Sequence, residues 1–239
     1  MPLLYWLVNM SRIEENLKGI KSRIQQAAVK SKREGKDIRL VVVTKTVDLD
    51  RIKEAIRCGI EIIGENRVQE AEEKLTRITE KVEKHLVGHL QSNKVKKAVE
   101  LFDLIQSVDS VHIAEEISKR AQEQGKLMDV LVEVNTSGEK TKFGVEPEET
   151  LSLIETISKL SGIRIKGLMT IGLFSDDQEA TRPCFKKLES LFEEITGMKI
   201  PNVEMRYLSM GMTGDFEVAI EEGSNMVRIG TGIFGSRSN

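Results

Sequence analysis

Eight short apolar runs, each followed by a segment of helical period, constrain this chain more than any other feature. The first is "RLVVVT", residues 39–44, with four consecutive apolar residues from Leu40 to Val43. "IEIIGE", "KHLVGHL", "LIQSVD", "MDVLVEVN", "IRIKGLMTI", "VEMRYLSM" and "MVRIGTGIFG" repeat the pattern. Helical spacing fills the intervals. Asp48 caps "LDRIKEAIRCG", which Gly59 stops, and Val68, Ala71, Leu75 and Ile78 fall on one face of the next segment. Pro147 opens a later helix and Gly125 closes an earlier one.

Strict alternation of strand and helix implies a parallel sheet with right-handed crossovers. Eight units in about 200 residues fit a closed (β/α)8 TIM barrel, with an open doubly wound sheet as the alternative. One more helix precedes the barrel. Ser11 and Glu14 form a capping box, and Ile13, Leu17, Ile20 and Ile24 follow at helical spacing. Residues 10–34 are therefore expected to be a helix leading into the barrel, and residues 1–239 a single domain. Segment 30–36 is rich in lysine and reads as a solvated helix end.

Charge argues against two partner classes. The 36 basic and 38 acidic residues leave a net charge of −2, which favours neither nucleic acid nor an anionic membrane. The two cysteines, Cys58 and Cys184, have no metal-ligand spacing and form no disulfide framework, so a reducing cytoplasmic setting fits. The opening "MPLLYWLVNM" lacks a basic n-region and a cleavage site and reads as no signal peptide. No stretch reaches the roughly 20 apolar residues of a membrane span.

In a parallel barrel the active site lies at the carboxyl ends of the strands. Strand 1 delivers Lys45 there, strand 2 Asn66, strand 3 His89, strand 6 Met169. The last two strands carry "LSMGMTGDF" and "RIGTGIFG", which supply Ser209, Gly211, Gly214, Gly230, Thr231 and Gly232. Barrels often bind phosphate in these loops, where small residues let backbone N–H groups face an anion. Arg228 lies inside an apolar strand two residues before Gly230. It reads either as half of an ion pair or as a partner for a bound ring or anion. A lysine at a dry barrel mouth loses hydration of its charged form, and the neutral amine becomes a nucleophile toward aldehydes. A phosphorylated aldehyde such as pyridoxal 5′-phosphate (PLP) would use both halves of the site. A salt-bridged Lys45, or a barrel holding another phosphorylated metabolite without covalent chemistry, also fits these residues.

"VVVTKTV", "GENRVQEA", "HLVGHLQSNK", "KGLMTIG" and "LSMGMTGDFEVAIEEGSNMVRIGTGIFG" together resemble the PLP homeostasis proteins, over about residues 10–236. The resemblance implies a single-domain, fold-type III PLP barrel like the N-terminal domain of alanine racemase. It implies that Lys45 carries PLP as a Schiff base. Ser209, Gly230 and Thr231 would hold the phosphate, with Gly211 in the same loop pair. Arg228 would face the pyridine nitrogen, and Asn66 and Met169 would line the pocket. It implies control of intracellular PLP without a known catalytic turnover, with PLP-dependent apo-enzymes as candidate recipients. One block departs from the family pattern: members often read K-T-K-P, whereas Val47 and Asp48 follow Lys45-Thr46 here.

The alternative is a PLP-dependent amino-acid racemase or decarboxylase. Such chemistry needs a second group that moves protons on the other face of the cofactor. Alanine racemases draw a tyrosine from a separate C-terminal domain. This chain ends one loop after strand 8, and its tyrosines, Tyr5 and Tyr207, are not expected at that place. An arginine beside the ring nitrogen also disfavours ring protonation and weakens the electron sink. A class I aldolase normally carries its imine-forming lysine on a later strand. His85 is expected before strand 3, His112 on a helix, and His89 near the mouth as a hydrogen-bonding residue. Without the usual second domain, a monomer is expected.

Overall fold

The computed structural model describes residues 10–175 and 177–235, so the apolar opening segment and Tyr5 lie outside the described residues. Eight parallel strands close into a barrel in chain order. They are β1 (Arg39–Val43), β2 (Ile62–Glu65), β3 (Glu83–Leu86), β4 (Leu104–Val108), β5 (Met128–Glu133), β6 (Ile163–Met169), β7 (Val203–Ser209) and β8 (Met226–Ile229). Closure is direct: Val41 of β1 lies opposite Ile62 of β2 on one side and Arg228 of β8 on the other. The closed barrel excludes the open-sheet alternative.

Both faces of β2, β4 and β8 are buried, which explains their unbroken runs, whereas β7 alternates, with Glu204 and Arg206 exposed. Val41, Ile62, Leu104, Leu131, Met169 and Met226 fill the barrel interior. Their neighbours Val42, Ile63, Ile105, Val130, Val132 and Val227 pack outward beneath the helices. Each such side chain contributes about 1.5–3 kcal/mol relative to exposure. The connecting helices are α2 (Leu49–Arg57), α3 (Val68–Leu75), α4 (Val95–Leu101), α5 (Val111–Glu123), α6 (Thr150–Ile157), α7 (Arg182–Met198) and α8 (Phe216–Glu221). Asp48 accepts from the Arg51 N–H at 3.0 Å and starts α2, as the cap predicts.

The extra helix, α1 (Arg12–Lys30), starts where Ser11 Oγ accepts from the Glu14 N–H at 3.2 Å. It buries Ile13, Leu17, Ile20 and Ile24. It lies against the last part of the barrel, with Arg23 paired to Glu217 and Asn16 donating to the Ile233 carbonyl at 2.8 Å.

One local expectation gains an exception and two need correction. Segment 30–36 is a largely exposed helix end, with Lys30, Lys32, Glu34 and Lys36 in solvent, but Arg33 turns in to the last carbonyls around α8, donating to Gly223 at 3.0 Å and Ser224 at 2.9 Å and also to Ile220. The Ile220 carbonyl also accepts from the Gly223 N–H at 3.1 Å, and Arg33 adds a cation at this helix end, where the macrodipole favours one. His85 lies within β3 and is buried inside the barrel, not before the strand. The residues after β8 wind into a helical turn, α9 (Thr231–Phe234), where the sequence reads as loop.

Candidate functional site

Strand parity decides which side chains reach the barrel axis. Val41 and Ile62 face inward, as do Met169, Met226 and, at the edge of that cluster, Val43 and Tyr207. Lys45 and Asn66 stand on the same parity beyond β1 and β2. Ser209, Arg228 and Gly230 continue that of Tyr207 and Met226. Five residues chosen from the sequence thus fall on one register at one end of the barrel.

The turn that carries Lys45 is held from behind. Thr46 has φ 62°, a left-handed conformation that costs a β-branched residue about 1–2 kcal/mol. Two α3 side chains hold it there. Glu70 Oε1 accepts from the Thr46 N–H at 2.5 Å, and Lys74 Nζ donates to Glu70 at 2.5 Å and to the Thr44 carbonyl at 2.8 Å. Burial pushes the Glu70 carboxyl up, but Lys74 and the Thr46 N–H outweigh it and leave it below the usual range. Glu65, at the end of β2, accepts from Thr44 Oγ1 at 2.7 Å and lies 3.2 Å from Lys74 Nζ. Burial pushes its carboxyl up, against the pull of Thr44 and Lys74. Glu70 and Lys74 escaped the sequence reading. The signal was available, because they stand four apart on one helix face directly after the strand-2 loop.

Arg228 is buried, and among the described residues no carboxylate lies within ion-pair distance of it. Its Nη1 donates to Ser209 Oγ at 2.6 Å and its Nη2 to the Thr170 carbonyl at 2.6 Å. The ion-pair reading of Arg228 therefore fails. Burial pulls the guanidinium down to about 10, against the attraction of Asp215 and Glu133. Glu133, at the carboxyl end of β5, is raised to about 7 by burial and by Asp109, with Arg228 pulling the other way. Glu133 also escaped the sequence reading, since an acid ending an apolar strand carries no spacing signal.

The two small-residue loops meet. Gly232 N–H donates to Thr213 Oγ1 at 3.2 Å, which joins the loop after β8 to the loop after β7. Gly211 has φ 93°, and a Cβ there would lie 2.6 Å from Ala219 Cβ. A Cβ on Gly230 would lie 3.2 Å from the Val43 carbonyl oxygen, so β8 and β1 approach closely where Lys45 emerges. Thr231 and Gly214 are exposed beside this contact. Ser209 is different: its hydroxyl is fully buried, accepting from Arg228 and donating to Gln106 Oε1 at 2.7 Å.

Met169 is fully buried in the interior cluster. Asn66 opens instead onto a cleft of about 760 Å³ on the β2–β3 side of the mouth, with Arg67, Glu70, Glu73, His89 and Phe143 among its walls. Lys45, Ser209, Arg228, Gly230 and Thr231 are not among them. His89 stacks on Phe143 with ring centroids 3.7 Å apart, and its Nδ1 lies 3.5 Å from Asp109. Among the described residues no cluster of three His, Cys, Asp or Glu side chains could hold a metal ion. No described helix is long and apolar enough to cross a membrane.

Residues 8–238 match the family described as alanine racemase, N-terminal domain. The pyridoxal phosphate homeostasis protein of Aquifex aeolicus is 43% identical over 224 residues, covering 93% of this chain and 97% of that protein. The human pyridoxal phosphate homeostasis protein is 39% identical over 235 residues, covering 92% and 85%. Among solved structures, PipY of Synechococcus elongatus with PLP bound superposes with a TM-score of 0.82 at 32% identity, covering 93% of this chain and all of the other. The Aquifex and human relatives carry the name of homeostasis proteins and not of racemases. With a closed parallel barrel and matches along nearly its whole length, the chain belongs to the pyridoxal phosphate homeostasis protein family, on a barrel of the alanine racemase N-terminal type.

Proposed function

We propose that this protein binds PLP at the carboxyl end of the barrel, holds it covalently through Lys45, and serves PLP homeostasis as a carrier without catalytic turnover. The observation that carries the reading is the shared inward register of Lys45, Ser209, Arg228 and Gly230 at one mouth. The PLP-bound PipY structure supports it.

The residues present fit such a molecule. PLP, when bound, supplies an aldehyde that condenses with an amine. Lys45 is the amine, on a turn whose direction Thr46, Glu70 and Lys74 fix. Thr231 and the loops around Gly230 and Gly211 would cradle the phosphate, with Thr231 exposed beside them. Arg228 presents a buried cation that opposes protonation of a ring nitrogen. Met169 forms an apolar wall and Asn66 a polar edge.

The racemase or decarboxylase reading is weaker on one specific ground. Tyr207 Oη lies 2.6 Å from Arg39 Nη1, at the amino-terminal end of the barrel. It cannot move a proton at the opposite mouth. We infer a cytoplasmic monomer of one domain that passes PLP to PLP-dependent apo-enzymes. The test is to load the protein with PLP, remove free cofactor, and mix it with a PLP-dependent apo-enzyme and, separately, with a panel of amino acids. Activation of the apo-enzyme with no change in any amino acid is expected. Racemisation or decarboxylation faster than by free PLP would overturn the carrier reading.

A further inference from the structure

A chain of hydrogen bonds runs through the barrel interior from the mouth to the base. Arg228 Nη1 donates to Ser209 Oγ at 2.6 Å, and Ser209 Oγ donates to Gln106 Oε1 at 2.7 Å. Gln106 Nε2 lies 2.9 Å from His85 Nδ1, and His85 Nε2 lies 3.2 Å from Glu83 Oε2. Glu83 then pairs with Arg39 at 2.6 Å, at the half-exposed base of the barrel. Ser209, Gln106, His85 and Arg228 are all buried.

The two ends of this chain leave its direction no freedom. A guanidinium only donates, and an ionised carboxylate only accepts. Hydrogen bonds from His85, with Arg39 next, hold Glu83 at about 2, so it is a carboxylate at neutral pH. Burial pulls His85 below its ordinary range, so its ring is neutral. The proton of that neutral ring therefore sits on Nε2, facing Glu83, and Nδ1 keeps a lone pair. Gln106 must turn its NH2 toward that lone pair, which turns its carbonyl toward Ser209. Ser209 must then give its proton to Gln106 and its lone pair to Arg228. No proton of Ser209 remains to donate toward the mouth.

We propose that Gln106 is a positioning residue, which carries the polarity set by Glu83 at the barrel base to Ser209 and so locks the Arg228 guanidinium in place beside the cofactor site. The link to the cofactor rests on the PLP reading above. The lock itself is a property of the protein without ligand. The Ser209 hydroxyl, which the family resemblance gives to the phosphate, therefore holds Arg228, and the phosphate role stays with Thr231 and the Gly230 and Gly211 loops.

Gln106→Met keeps the length of the side chain and removes its hydrogen bonds to His85 and Ser209, along with a weaker one to Met226 Sδ at 3.3 Å. In the unliganded protein, nitrogen NMR should show His85 as the Nε2–H tautomer in wild type, with the Nδ1 signal displaced in Gln106→Met. Hydrogen exchange of the Arg228 side chain should become roughly tenfold faster, the factor expected for weakening one charged hydrogen bond. In a Ser209→Ala background, Gln106→Met should add nothing further. With PLP bound, the same substitution should shift the absorption maximum. If Gln106→Met fails to fold, Glu83→Gln at the base removes the acceptor-only end and should move the same signals. An Nδ1–H tautomer of His85, or unchanged Arg228 exchange in a folded variant, would overturn the lock. Failure of wild type to take up PLP would sink the PLP reading alone, because the unliganded signals still decide the lock.

Discussion

Replacing Glu133 by glutamine should stabilise the unliganded protein, increasingly so as pH rises. Glu133 is 3% exposed, and its carboxyl is raised from 4.5 to about 7, with burial the largest cause. A carboxyl whose folded pKa is raised contributes full stability below about 4.5, and that contribution is lost as pH climbs through about 7. Ionising it in the fold costs about 1.4 kcal/mol for each unit by which folded and unfolded values differ. The cost is about 1 kcal/mol near pH 5 and levels off at about 3 kcal/mol above pH 7. Glutamine has the same shape and never pays it. Urea unfolding of wild type and Glu133→Gln at several pH values reads the difference directly. The variant should gain about 3 kcal/mol near pH 8, or roughly 6–12 °C in Tm for a chain of this size, and about 1 kcal/mol near pH 5. Equal stability at every pH, or a loss near pH 8, would refute the reasoning. It would mean that the ionised carboxylate is held favourably by Arg228 despite its burial.

Thr46→Gly should remove the cost of a left-handed threonine and raise stability by about 1 kcal/mol, while slowing PLP uptake because the Lys45 turn loosens; a loss of stability would show that φ 62° carries no strain. Gly211→Ala combines a left-handed backbone with a Cβ 2.6 Å from Ala219, and should cost about 2–3 kcal/mol and weaken PLP binding, as read by denaturation and by titration. Arg33→Ala leaves the carbonyls of Ile220, Gly223 and Ser224 without their cation and should lower stability by about 1–3 kcal/mol with PLP affinity unchanged; calorimetry and a binding isotherm separate the two.

The barrel was legible because eight apolar runs at regular intervals admit few other topologies. Strand parity then brought Lys45, Asn66, Met169, Ser209, Arg228 and Gly230 to one end, from positions spread along most of the chain. Contacts made across the interior stayed hidden. Gln106 sits in a run that reads as ordinary strand and His85 was expected just before one, and nothing in either segment announces the other. Ser209 was legible as a residue of the mouth, but its proton's direction depends on Glu83, which is 126 positions away in the chain. The turn at Thr46 was hidden for a different reason: side chains on α3 impose its conformation against its own preference. Arg33 looked like part of a charged, solvated stretch, because a capping role depends on where the end of α8 lies in space.

The most direct test of the covalent role of Lys45 is borohydride reduction of the PLP-incubated protein, followed by peptide mass mapping beside a Lys45→Ala control. A single pyridoxyl adduct on Lys45, absent from the control while the control keeps weaker PLP binding, is the predicted result. An adduct on a different lysine, or none at all, would contradict it.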